Sequence, residues 1–143
     1  MNLSEKALGI KPSSTLSITE KAGLLRKEGK NVISFSIGEP DFDTPEHIKK
    51  AAIDAINEGF TRYTAAAGIV ELRQAVADKL KKDNGLDYDY TQIVISNGAK
   101  HSLINALMAV LNPGDEVIIP APFWLSYAEM VRIAGGTPVI VYT

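Results

Sequence analysis

Residues Ile93 to Ser102 read IVISNGAKHS, a β-branched run set directly against a glycine and followed by a helix-forming stretch. The pattern predicts a short strand, a turn at Gly98 and a helix from Ala99 to Leu111. The first turn of a helix carries backbone N–H groups with no intrahelical partner, and the peptide dipoles add partial positive charge there. A phosphate at such a junction therefore gains hydrogen bonds and field together. Gly98 lets the backbone approach a ligand closely, and Lys100 brings a cation and a donor. Ser96 and Asn97 can either cap the helix or hydrogen-bond a ligand. An ordinary βα turn is built in the same way, so the stretch alone leaves both readings open.

Downstream, the turn Asn112-Pro113-Gly114-Asp115 leads to a strand from Glu116 to Pro120 and then to the loop APFWLSY, residues 121–127. A helix follows with Tyr127, Met130, Val131 and Ala134 on one face; Gly135-Gly136 closes it, and Thr137 to Tyr142 alternates as a last strand. The order from Ile93 is thus β-α-β-α-β, the pattern of a parallel α/β sheet with flanking helices. Trp124 is the only tryptophan. In a loop of this kind it serves either as a core plug or as a flat platform for a ligand.

Upstream, residues 1–16 form an arm, polar and interrupted by Gly9 and Pro12, with Leu3, Ala7, Leu8 and Ile10 in a short amphipathic pattern. A helix is predicted from Ile18 to Lys27, ended by Gly29, and a half-buried strand from Asn31 to Ile37. The loop GEPDFDTP, residues 38–45, ends in Thr44 or Asp43 as N-cap with Pro45 at the first helical position. The next helix, Glu46 to Glu58, is expected to bury Ile48, Ala52, Ile53 and Ile56. Residues 60–68 (FTRYTAAAG) have no clean period and precede a helix in which Leu72, Val76 and Leu80 recur every fourth residue until Asn84-Gly85.

The chain has 143 residues, 45% of them hydrophobic, which is enough for a sizeable core in one ordinary domain or part of a larger one. Its formal net charge is −2, with the charges scattered, which argues against nucleic acid or an anionic membrane as the main partner. With no cysteine, there is neither a disulfide framework nor thiolate chemistry. No apolar run approaches a membrane span, and the opening MNLSEKALGIKPSS lacks a signal-peptide core, so cytoplasm is the expected compartment.

Three motifs, taken together and in order, carry a resemblance: GEPDFDTP at 38–45, RYTAAAG followed by IVELRQAV at 62–76, and SNGAKHSLINAL with NPGDEVIIPAPFWLSY at 96–127. They resemble the class I and II aminotransferases, especially the aspartate aminotransferase branch, and the likeness runs over essentially the whole chain. It implies the fold type I architecture of enzymes that use pyridoxal 5′-phosphate (PLP), and a homodimer with shared active sites. Residues 1–30 would be the arm and first helix, and residues 31–143 an incomplete N-terminal part of the PLP-binding large domain.

Residue by residue, the resemblance assigns Gly98, Ala99 and Lys100 to the PLP phosphate and Trp124 to stacking on the pyridine ring, with Trp124 also facing substrate. Tyr63 would reach the phosphate of the partner subunit's cofactor, and Gly38 would face the substrate carboxylate. In the arm, Lys11, Ser14 and Thr15 match a part that closes over the site, and a lysine there resembles members that also accept prephenate. The run Ala65-Ala66-Ala67 departs from many relatives but keeps Tyr63 and Gly68. The family's Schiff-base lysine, the aspartate at the pyridine nitrogen and the substrate arginine match nothing before Thr143. The expectation is accordingly an N-terminal fragment with no catalytic residue of its own and no metal.

Two functions from different classes follow. The first is part of an enzyme that moves an amino group between an amino acid, aspartate above all, and a 2-oxo acid such as 2-oxoglutarate, with prephenate as a further acceptor. The alternative is a non-catalytic binding or dimerisation module of the same fold, or another fold type I enzyme such as a synthase or lyase, since these share the glycine turn and aromatic platform.

Overall fold

The structure, a computed structural model, describes residues 2–10 and 13–143. Six helices and two strands are present among them: α1 (Glu5–Gly9), α2 (Ser14–Lys27), α3 (Glu46–Asn57), α4 (Val70–Asn84), α5 (Ala99–Val110), β1 (Glu116–Ala121), α6 (Ser126–Ala134) and β2 (Thr137–Tyr142), with a 3₁₀ turn at Tyr90–Gln92. Contacts divide the chain into two compact units, Met1–Asp43 with Leu107–Thr143, and Thr44–Ala106.

The first unit is built on a βαβ element. Strands β1 and β2 pair in parallel, from Glu116 opposite Thr137 to Ala121 opposite Tyr142, and α6 makes the crossover between them. Along β1 burial alternates, with Val117, Ile119 and Ala121 turned inward and Glu116, Ile118 and Pro120 outward, as period-two geometry requires. Ile119, Ala128 and Val131 form the centre of the core, and Leu107, Leu111, Phe123 and Ile140 pack around them. Helix α6 ends at Gly135, whose φ of 97° turns the chain back into β2. Among the described residues Val131 is the most deeply buried side chain, 2% exposed, and truncating it leaves a cavity that these neighbours fill only in part. Val131→Ala is expected to cost about 2 kcal/mol, read as a lower urea midpoint at unchanged slope.

Two expected strands do not form. Residues 31–37 and 93–96 lie outside any strand, so the β-α-β-α-β order reduces to β-α-β, and the sheet observed among the described residues has two strands. A strand requires a ladder of backbone hydrogen bonds to a paired segment, and neither stretch forms one among the described residues. In 31–37 the apolar side is turned outward: Ile33 and Phe35 are 78% and 95% exposed. The half-buried side faces α2, where Arg26 Nε donates to the Val32 carbonyl and the hydroxyls of Thr19 and Ser36 meet at 2.9 Å.

Helix boundaries shift for local reasons. Helix α2 begins at Ser14 rather than Ile18, because the Ser13 hydroxyl accepts the Leu16 N–H and starts it one turn earlier. Ahead of α3, Pro45 occupies the N-cap position assigned to Thr44 or Asp43 and provides no side-chain cap. Helix α3 buries none of its residues, and Ile48, Ile53 and Ile56 of its expected core stripe are exposed. In α4 the left-handed C-cap at Gly85, φ 68°, falls where Asn84-Gly85 predicts it.

Candidate functional site

The turn after residues 93–96 is shaped by its hydrogen bonds. Gly98 has φ 84°, in the left-handed region, and a Cβ placed on it would meet nothing within 4 Å. Glycine is required there by the backbone angle, and the open space on its side is where a ligand can approach. The Gly98 N–H donates to the Ser96 carbonyl at 2.8 Å, and the Gly98 carbonyl receives the N–H groups of His101 and Ser102. Ala99 and Lys100 open α5 and are exposed.

His101 is a participant that the sequence reading missed. Its Nδ1 accepts the Asn97 N–H at 3.1 Å, so a side chain one turn inside the helix holds the residue before the glycine. A histidine four residues after the asparagine that precedes a glycine turn was the available signal.

The approach to the turn is fixed at three points within the Thr44–Ala106 unit. The 3₁₀ turn at Tyr90–Gln92 is closed by a capping box, in which the Asp89 carboxylate receives the Thr91 hydroxyl and N–H while the Gln92 side chain receives the Asp89 N–H. The Thr91 hydroxyl first, then its N–H, hold the Asp89 carboxyl below its ordinary range. That contribution is present above the unfolded carboxyl's pKa and is lost as pH falls through the lowered folded value. Next, Arg73 Nε of α4 donates to the Ile93 carbonyl at 2.9 Å. Last, the Ile95 N–H donates to the Ala67 carbonyl at 2.9 Å, beside Gly68 at φ 98°.

Other residues singled out in the sequence sit as follows. Tyr63 is fully exposed in the loop between α3 and α4. Gly38 and Trp124 belong to the other unit, Gly38 on open backbone with nothing within 4 Å of a Cβ. Trp124 is 44% exposed and meets Tyr127 edge-on at 5.6 Å and 83°, so it is a half-open ring in the loop before α6 rather than a plug in the core. Ser14 and Thr15 open α2, and Lys11 lies outside the described residues. Among the described residues no group of three or more His, Cys, Asp or Glu side chains is placed to hold a metal, and no helix is long and apolar enough to cross a membrane.

The Gly98 turn has the donors of an anion site. A left-handed glycine with open space beside it, the first N–H groups of a twelve-residue helix and a lysine in its first turn form a donor set for a phosphate dianion. Separately, in the other unit, the half-exposed Trp124 is an aromatic ring able to stack on a planar group.

Comparison with known proteins supplies the family. The family model described as aminotransferase class I and II matches residues 30–143. The chain is 58% identical over 128 residues to a probable aspartate/prephenate aminotransferase of Rhizobium leguminosarum bv. phaseoli, covering 90% of this chain and 32% of that protein. It is 52% identical over 143 residues to the aspartate/prephenate aminotransferase of Nitrosomonas europaea, covering 100% of this chain and 36% of that protein. Among solved structures, the aspartate aminotransferase of Thermus thermophilus with maleate aligns with TM-score 0.94 and 46% identity over 100% of this chain and 37% of its own. The enzyme of Rhizobium meliloti aligns with TM-score 0.94 and 47% identity, over 100% and 36%. The chain spans about a third of the length of the relatives it matches. With a family model over most of its length and the fold of fold type I aspartate aminotransferases throughout, the chain belongs to the class I and II aminotransferases.

Proposed function

We propose that this chain works within a PLP-dependent aminotransferase that moves the amino group of an amino acid, aspartate above all, to a 2-oxo acid such as 2-oxoglutarate. The observation that carries the reading is the Gly98 turn: an open left-handed glycine at the start of α5 with Lys100 in its first turn, inside a chain that matches aspartate/prephenate aminotransferases from end to end. Gly98, Ala99 and Lys100 hold the cofactor's phosphate through backbone N–H groups and the ammonium. Trp124 fixes the tilt of the pyridine ring and borders the substrate, and the bare backbone of Gly38 admits the substrate carboxylate closely. PLP, when bound, supplies the carbonyl that takes up the amino group and the ring that withdraws electrons.

Tyr63 stands on the loop joined to the turn through Ala67 and Ile95, and reaches the phosphate of the cofactor in a partner subunit, so the assembly is a homodimer with shared sites. Residues 1–30 act as an arm and first helix and residues 31–143 as the first part of the large domain. Lys11 in the arm supports prephenate as a further acceptor, and the compartment is the cytoplasm.

The test is an assay of the whole enzyme with PLP, aspartate and 2-oxoglutarate, followed by prephenate as acceptor, with light scattering for the assembly. Oxaloacetate and glutamate in equal amounts are the expected products. PLP binding without amino-group transfer from any amino acid would replace this reading by that of a non-catalytic module.

A further inference from the structure

The segment 93–96 carries the Gly98 turn, yet among the described residues no strand pairs with it. Its position rests on a few separate bonds. The Ile93 N–H reaches the Tyr90 carbonyl at 3.1 Å, the Ile93 carbonyl receives Arg73 Nε at 2.9 Å, and the Ile95 N–H reaches Ala67 at 2.9 Å. The Arg73 contact is the one made by a side chain, and it spans 20 residues of sequence.

We infer that Arg73 is a positioning residue for the phosphate turn: it ties α4 to the segment that delivers Gly98, Ala99 and Lys100 to the anion, without touching the anion itself. Two features suit arginine to this. Its guanidinium lies over the Tyr90 ring, 5.3 Å from the centroid, while Nε points to the Ile93 carbonyl, so one planar group stacks and donates at once. Tyr90 is the first residue of the 3₁₀ turn that leads into Ile93. Arg73 therefore grips the segment at its root, once through the ring and once through the carbonyl. A lysine, with a compact ammonium on a flexible stem, can donate or stack but does not hold both in one plane. The residue is partly buried, so water competes weakly for the carbonyl it serves.

The contact lies five residues before Gly98, close enough that a shift of the segment moves the helix N–H groups by a similar amount. Phosphate binding depends on those donors converging, and loss of alignment weakens each of them steeply. This rests on the proposed phosphate role of the turn, and the experiment separates the two.

Apoenzyme of the whole protein is titrated with PLP and with pyridoxal, which lacks the phosphate, and the ³¹P resonance of bound PLP is recorded. Arg73→Met keeps the apolar stem and removes the donor. It is expected to weaken PLP by about tenfold, the loss typical of a hydrogen bond between charged and polar groups, while pyridoxal changes by less than about threefold. Arg73→Lys should recover part of the PLP affinity and show a displaced ³¹P resonance, and it carries the test if Arg73→Met fails to fold. Equal loss for PLP and pyridoxal in these variants, or an unmoved ³¹P resonance with wild-type affinity in Arg73→Lys and Arg73→Met, would overturn the inference. Lys100→Ala runs in parallel: if it discriminates between the ligands and Arg73 does not, the positioning role alone fails. If neither discriminates, the phosphate reading of the turn fails with it.

Discussion

Gly68→Ala is expected to destabilise the Thr44–Ala106 unit by about 3–5 kcal/mol, a large share of the roughly 5–15 kcal/mol that holds a typical domain folded. Two independent penalties add at this position. The backbone stands at φ 98°, where a side chain is strained whatever the space around it. A Cβ would also lie 2.5 Å from Ile95 Cγ1 and 2.8 Å from Ile95 Cβ, well inside contact distance and against the branched root of the side chain, which cannot swing aside. The displacement would pass directly into the segment that Ile95 anchors through the Ala67 carbonyl. Gly98→Ala is the internal control, since its φ of 84° is similar while no atom lies within 4 Å of the new methyl. It should cost about 1–2 kcal/mol, the backbone share alone. Urea unfolding of both variants measures the difference; equal losses would mean that the Ile95 overlap is relieved by a small shift of the loop.

The contrast between these glycines also indicates what a sequence can and cannot disclose. Gly85 and Gly135 were readable as helix stops because a left-handed cap is a local event, set by the residues on either side of it. Strand β2 was readable for a related reason, since the Gly135-Gly136 signal marks its start. The segment from Asn31 to Ile37 alternates equally well and yet is no strand. Alternation records only that a segment suits a pleated surface, and pairing needs a second segment whose place is a property of the whole fold. The same holds for α3, where a regular stripe of Ile48, Ile53 and Ile56 describes a helix ready to be covered, and nothing in its own sequence says what covers it.

At the site, the anion-binding role proposed for Gly98 and Lys100 follows from local rules, whereas the roles proposed for Trp124, Tyr63 and Gly38 rest only on resemblance. A loop tryptophan carries no signal that separates a platform from a plug. Arg73 and His101 escaped both routes. Arg73 acts across 20 residues of sequence, and His101 holds the residue before the glycine from one turn inside the helix.

In the whole enzyme, Lys100→Ala is expected to weaken PLP by about 1–3 kcal/mol, roughly tenfold to a hundredfold, with little change for pyridoxal. On the proposed reading, the ammonium would give a charge-assisted hydrogen bond to a dianion that also receives backbone N–H groups of α5, so its removal would lower affinity without abolishing it. Lys100→Arg separates charge from shape. The guanidinium preserves the cation but brings a broad planar fork where the lysine presents a compact point charge at the helix start. If field at the helix terminus dominates, arginine recovers most of the affinity. If a single directed bond dominates, it recovers little. Salt gives a second reading of the same balance, because an exposed cation is screened within about 8–10 Å at physiological ionic strength while backbone donors in direct contact with the phosphate are screened much less. Wild-type affinity for PLP should therefore fall more steeply with salt than that of Lys100→Ala. Parallel salt slopes, together with equal losses for PLP and pyridoxal, would assign Lys100 to the stability of the turn and leave the phosphate to the backbone of α5.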